Sequence, residues 1–388
     1  MNSSRENGFQ GLPVEAYTSR EWFDQEQIAV FGKSWHLAGL AEDVTEKGSF
    51  LTVQAGNYPM IVLHGHDGRL RAFHNFCRHR GTRLLRGAGK AGKAITCPYH
   101  DWTYRCDGTL LSVPNEAEDF PDLDRACLHL KAGSVGFWRG MLFVHPQEDA
   151  IPLRDWFGGL EPYLAPYSPE KLVEYPGTQV EYSIRANWKI VAENYIDAYH
   201  LAHLHSGTLR MYDHKRIESR FVRDHFVFWQ PCSEAYLKNL EINAPYPLID
   251  HSPQEKLGAY VPLLFPGIGL VESEVSWSVF HMQPVAPDET RVVVRSRFAK
   301  ASGWRFARQY RQSTAFWEQF VRPKYANLDE DDPMGSADFM AEDIYVCEQQ
   351  QQSFSSPEFE QGPSALVGEK AVREHQELIL KKMAEFLS

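Results

Sequence analysis

Two short segments constrain this chain more than anything else in it: Cys77-Arg-His79 and, after seventeen intervening residues, Cys97-Pro-Tyr-His100. Each offers one thiolate and one imidazole. The surrounding sequence, from about Ser49 to Val144, reads as short strands and turns. Met60–His64 and Arg69–Phe73 flank His66-Asp67-Gly68, and Trp102–Tyr104 and Thr109–Val113 flank Cys106-Asp107-Gly108, both hairpin signals. Gly136–Val144 reads as one closing strand. A β scaffold of this kind can bring two hairpin-end loops tip to tip, so this block is expected to be a small all-β domain built around a metal group.

Two chemistries suit two Cys and two His. One is a structural zinc ion. The other is a [2Fe–2S] cluster in which two His replace two Cys on one iron, which raises the reduction potential. Zinc fingers usually pair Cys with Cys and His with His along the chain, whereas here each loop mixes the types, which suits the cluster. The bland alternative is a set of buried Cys and His that bind nothing. Cys106, Cys127, Cys232 and Cys347 match no ligand position and read as ordinary small side chains. Gly87-Ala-Gly89-Lys-Ala-Gly92 matches a dinucleotide-binding fingerprint in letters alone. No βαβ unit surrounds it, so it reads as a surface turn.

A second constellation follows in Asn187 to His205. Glu193, Asp197 and His200 are spaced four and three apart, which on a helix over about Trp188–Leu204 puts them on one face. Acidic residues and His in an apolar helix are costly to bury without a partner or a metal. Two His and one carboxylate with open positions make the facial triad of non-haem Fe(II) oxygenases. His200 is the first candidate. Helix geometry favours His203 as the second, and His205 can converge only where the helix ends, which Gly207 permits.

The formal net charge of −11 argues against a nucleic-acid footprint. The polar N-terminus lacks a signal-peptide core, and the longest apolar run, roughly Ala259 to Val271, is broken by Pro and Gly. A cytoplasmic protein is expected.

Cys77-x-His79 with the run Cys97-Pro-Tyr-His-Asp-Trp-Thr-Tyr104 resembles the Rieske domain of ring-hydroxylating oxygenase α subunits. Asp197-x-x-His200-x-x-x-x-His205 is similar to the same family's mononuclear iron motif. The resemblance implies that Cys77 and Cys97 hold one iron of a [2Fe–2S] cluster and His79 and His100 the other, with Trp102 covering it. It implies that His200 and His205 hold a mononuclear Fe(II), with His203 a hydrogen-bonded neighbour. The segment Ala341–Gln350 resembles the family's helix that carries the third ligand, Asp343, with Glu342 and Glu348 as rivals. Asp197 would hydrogen-bond His200 and, across a subunit boundary, His100 of a neighbouring chain. Asn194 and Tyr199 also fit the family pattern, Asn194 as a tentative catalytic residue.

The expected fold is α+β. Residues 1–37 would form a helical segment packed on the catalytic domain, 38–155 the Rieske [2Fe–2S] domain, and 156–388 a helix-grip catalytic domain. That domain would have an antiparallel sheet covered by helices over 303–320, 341–352 and 369–387. The expected function is the oxygenase component of a Rieske system. It would use O₂ and electrons from NAD(P)H through a separate reductase, with or without a ferredoxin, in a homotrimer or an α3β3 assembly. A small aromatic substrate is preferred, and oxidation or demethylation of an N-methyl or quaternary ammonium group is the alternative. Two other classes are a Rieske electron carrier without oxygenase activity and a zinc-stabilised binding module.

Overall fold

The structure, a computed structural model, describes residues 11–243, 248–249, 257–304, 320–329 and 331–387. Most of the expected helix over 303–320 lies outside them. The chain divides into two compact units, Glu26–Trp156 and the rest.

In the first unit, seven strands lie side by side in the order His36–Leu40, Met141–His145, Ala132–Trp138, Leu70–His74, Tyr58–His64, Ser49–Ala55 and Ala88–Lys90. The named contacts between neighbours are antiparallel. A separate three-stranded sheet, Ala94–Thr96, Thr103–Arg105 and Leu110–Ser112, carries the second Cys/His loop. Phe50, Ile61, Phe73, Ile95, Tyr104 and Leu110 form a core that includes Cys77 and Cys97.

Two local expectations are corrected here. Residues 136–144 are a hairpin: Ala132–Trp138 turns through Arg139 and Gly140, both at positive φ, into Met141–His145. The Gly87–Gly92 stretch is more than a turn, because Ala88–Lys90 pairs with Ser49–Leu51 as an edge strand. The N-terminal division falls at Gln25/Glu26, inside the helix Arg20–Ala29, ahead of the boundary expected at 37. Residues after it are tied to the first unit: the Trp35 indole donates to the Ile151 carbonyl at 3.0 Å and its ring meets His145 edge-on at 5.5 Å.

The second unit is built on a nine-stranded antiparallel sheet. Its order is Val173–Glu174, Glu289–Phe298, Ser276–Ala286, Ile268–Glu272, Gly258–Tyr260, His225–Pro231 and Glu218–Val222. Val180–Ile184 also pairs with Glu289–Phe298, and Leu263–Leu264 bridges two inner strands. The apolar run 259–271 is thus three short strands separated by Pro262 and Pro266, a pattern that proline's missing N–H enforces. The helices Trp188–Ile196, Phe339–Phe354 and Lys370–Leu387 belong to this unit. The first packs against the other two, and against the strand Ser276–Ala286. No helix among the described residues is long and apolar enough to cross a membrane.

Candidate metal centres

The two Cys/His loops close in the same way. Cys77 N–H donates to the Thr82 carbonyl at 2.8 Å, and Gly81 N–H donates back to the Cys77 carbonyl at 3.0 Å. Cys97 N–H donates to the Trp102 carbonyl at 2.8 Å, and Asp101 N–H donates back to the Cys97 carbonyl at 3.1 Å. The fourth residue after each Cys sits at positive φ, 76° for Gly81 and 53° for Asp101, which turns the chain tightly enough to close the loop.

Both cysteines are buried and neither is in a disulfide. Burial pushes the Cys97 thiol up, the backbone N–H groups of Tyr99 and His100 pull it down, and the neighbouring Cys77 thiol adds to the rise. His79 Nδ1 is buried without a hydrogen-bond partner, an orphan that a metal bond would satisfy. The His79 ring stacks on Trp102 at 4.8 Å and 7° and lies 4.8 Å from His100. Cysteine thus meets cysteine and histidine meets histidine. A single zinc ion would gather all four donors within about 4 Å of one another. Among the described residues, the set gathered within 4.8 Å is a different one. The donor set fits a two-iron group.

That other set is His200, His205 and Asp343. The helix expected over about Trp188–Leu204 stops at Ile196, so His200 and His205 sit in turns beyond it, and helical spacing does not govern them. Asp197 ends the helix. It takes ψ 114°, and its carboxylate accepts from Tyr199 N–H at 2.8 Å and His200 N–H at 3.3 Å, a local bond that competes with the next helical turn. The same carboxylate is 3.1 Å from His200 Nδ1.

His205, buried, has Nδ1 2.8 Å from Glu342 Oε2, which also accepts from the Thr208 hydroxyl at 2.7 Å. Each imidazole therefore has Nδ1 on a carboxylate and Nε2 turned to Asp343 Oδ1, at 3.6 Å from His200 and 3.0 Å from His205. Burial alone would depress the His205 pKa. The hydrogen bonds to Asp343 and Glu342 outweigh it and raise it to about 9. Asn194 Nδ2 donates to Asp343 Oδ1 at 3.3 Å. Three donors facing one point, with two of the rings held from behind, is a ligand set suited to a cation with open positions.

The remaining candidates lie elsewhere. His203 is exposed, with its ring edge on Tyr199 at 5.6 Å; its backbone N–H donates to the His200 carbonyl at 2.9 Å, but its ring makes no hydrogen bond among the described residues, unlike the bonded neighbour expected. Glu348 pairs with Arg185 at 2.8 Å. Glu193 is bonded by the Tyr17 hydroxyl at 2.8 Å. Glu342, read from sequence as a rival ligand, supports His205 from behind; adjacency to Asp343 was its sole signal.

A cavity of 340 Å³ opens on the three donors and is walled by Val261, Phe228, Phe280, Met282, Phe339 and further apolar side chains. Residues 173–385 match the family model described as ring hydroxylating alpha subunit (catalytic domain). The chain belongs to that family. Residues 34–132 match the Rieske [2Fe-2S] domain. These are the domains of a [2Fe–2S] cluster and a mononuclear iron, and both donor sets fit those groups.

Among this α-subunit chain's relatives is the glycine betaine monooxygenase oxygenase subunit of Pseudomonas aeruginosa strain UCBPP-PA14. It is 37% identical over 54% of this chain and 48% of its own length. The anthranilate 1,2-dioxygenase large subunit of Acinetobacter baylyi is 32% identical over 54% and 45%. The chain thus spans about half the length of the curated relatives it matches. The fold is shared with a quaternary ammonium Rieske monooxygenase, at TM-score 0.74 and 21% identity over 96% and 95% of the two chains. It is also shared with naphthalene 1,2-dioxygenase, at 0.70 and 20% over 98% and 96%.

Proposed function

We propose that this chain is the oxygenase component of a Rieske system that oxidises an N-methyl group of a small organic cation. Electrons come from NAD(P)H through a separate reductase, with or without a ferredoxin. The juxtaposition of His200, His205 and Asp343 at the mouth of an apolar cavity carries the oxygenase reading. It also counts against a pure electron carrier, which needs no second site.

Cys77 and Cys97 would hold one cluster iron, His79 and His100 the other, and His200, His205 and Asp343 would hold the mononuclear iron. The cluster supplies single electrons and the mononuclear iron activates O₂. Asp197 and Glu342 hold each imidazole's proton on Nδ1, which leaves the Nε2 lone pairs beside Asp343 available to a metal ion. Asn194 steadies the Asp343 carboxylate. The apolar walls hold substrate beside the ligands and exclude bulk water. His100 is exposed, and Asp197 is the acceptor that would meet the His100 of a neighbouring copy in a homotrimer or an α3β3 ring in the cytoplasm.

Sequence alone preferred an aromatic substrate. Two observations favour the cation: Tyr195, Tyr212, Phe228 and Phe280 line the cavity with Asp197 and Asp343, and aromatic faces and carboxylates both attract ammonium groups. Relatives named for glycine betaine and carnitine point the same way. The balanced reaction is R₃N⁺–CH₃ + O₂ + 2e⁻ + 2H⁺ → R₃N⁺–CH₂OH + H₂O. The C–N bond then breaks to give formaldehyde and R₃NH⁺. Purified holoenzyme with a reductase should consume O₂ and release formaldehyde on addition of glycine betaine or carnitine. Formation of a cis-diol or phenol from benzoate or naphthalene, with no formaldehyde from any N-methyl cation, rejects the cation reading in favour of the aromatic one.

A further inference from the structure

The cavity wall is not uniformly apolar. In the strand His225–Pro231, alternate residues share a face, and Phe228 and Gln230 both line the cavity. Tyr212, bridged to Cys232 just beyond that strand, lines it too, and Asp213 N–H donates to the Pro231 carbonyl at 2.9 Å, which holds this segment against the strand end.

Gln230 is 3% exposed, and its Oε1 lies 2.9 Å from His214 Nδ1. Its amide nitrogen makes no hydrogen bond among the described residues, and neither does the Tyr212 hydroxyl. The orientation of this pair follows from what each arrangement would strand. His214 Nε2 is buried without a partner. His214 also has the Leu209 carbonyl as a nearby acceptor, but Nε2 reaches no partner in hydrogen-bonding geometry among the described residues, so a proton there is poorly met, whereas a proton on Nδ1 is paired with Gln230 Oε1 at 2.9 Å. The carbonyl end of Gln230 is thereby occupied, and the NH₂ end is left for the cavity.

We propose that Gln230, oriented by His214, is a specificity-determining donor that reads a hydrogen-bond acceptor on the substrate, such as a carbonyl, ester or carboxylate oxygen. The substrate is therefore bifunctional: one end presents the carbon to be oxidised to the His200, His205 and Asp343 centre, and the other carries an oxygen acceptor. An otherwise buried donor left unmet rejects analogues that lack the acceptor. The inference rests on the proposed oxygenase reading of this cavity.

The test uses matched ligand pairs on the holoenzyme, with binding measured by calorimetry. Acetonyltrimethylammonium carries a carbonyl oxygen where isobutyltrimethylammonium carries a methyl; acetophenone and isopropylbenzene form the same contrast without charge. The wild type should bind the acceptor-bearing member of one pair about tenfold more tightly. Gln230→Leu should remove that preference, with affinity for the acceptor-free member rising because no buried donor is then stranded. His214→Phe should weaken the preference by letting the amide turn. Gln230→Met serves where the leucine variant loses cluster absorption or iron. Discrimination within the aromatic pair alone would keep this inference and reject the N-methyl cation reading. Equal loss for both members of a pair in the Gln230 variants, or no discrimination by the wild type in either pair, would overturn it.

Discussion

Asp197 and Glu342 each hold the Nδ1 of an imidazole proposed as a ligand, yet they sit in different surroundings. Glu342 is fully buried; among the described residues its Oε1 has no partner, and its Oε2 meets His205 and Thr208. Glu342→Gln can offer an amide N–H to Nδ1, moving the imidazole proton to Nε2 where it opposes the metal. Mononuclear iron affinity should fall about 10- to 100-fold while the cluster's visible absorption is kept, as read by iron analysis after dialysis. Asp197 has a side chain only part-buried, beside His200. Asp197→Ala should leave the cluster colour intact and abolish turnover. In a single-turnover experiment the reduced cluster should stay reduced in the presence of O₂ and substrate, and prompt re-oxidation would remove the proposed bridge.

At the level of elements, the site depends on where one helix stops and how closely it is seated. Trp188–Ile196 begins at Asn187, whose side chain caps Lys189 N–H at 3.0 Å, and ends at Asp197, after which irregular backbone carries both His ligands inward. The spacing of five between His200 and His205 was incompatible with a continuous helix, and the early stop removes the conflict. The seating is tight: a Cβ on Gly269 would lie 2.6 Å from the Tyr195 ring, whose hydroxyl donates to the Leu270 carbonyl at 2.7 Å. Gly269→Ala should push this helix away from the strand Ile268–Glu272 and destabilise the protein by about 1–3 kcal/mol, seen as a lower midpoint in urea with partial loss of mononuclear iron. An unchanged midpoint would show that the contact yields freely.

For the molecule as a whole, each unit buries a histidine held neutral. Burial lowers the His36 pKa to about 4 and the His375 pKa to about 3. A folded pKa below the unfolded value means the unfolded chain takes up the proton first. The stability contribution is therefore complete above about pH 6.5 and is lost as pH falls from there through the folded values. Each pKa unit corresponds to about 1.4 kcal/mol, so the penalty at pH 4 is on the order of 3 kcal/mol per histidine. Urea midpoints should drop between pH 6.5 and 4.5, and His36→Gln should flatten that slope; an unaltered slope would place the acid sensitivity elsewhere.

Local chemistry, which needs no fold to be read, was legible in the sequence. Two thiolate–imidazole pairs pointed to one metal group and His200 with a nearby carboxylate to another. The choice of His205 over His203 came from the family resemblance and not from spacing. The alternation and turn residues around the first group pointed to strands. Tertiary structure decided what depends on distant partners: that 136–144 folds back as a hairpin, that the helix ends at Ile196, and that Glu342 faces His205 while its neighbour Asp343 faces both imidazoles. It also decided that Gln230 has one end of its amide tied and the other free. A side chain's partner is set by packing across many residues of chain, and sequence spacing reports only the partners within a turn or two.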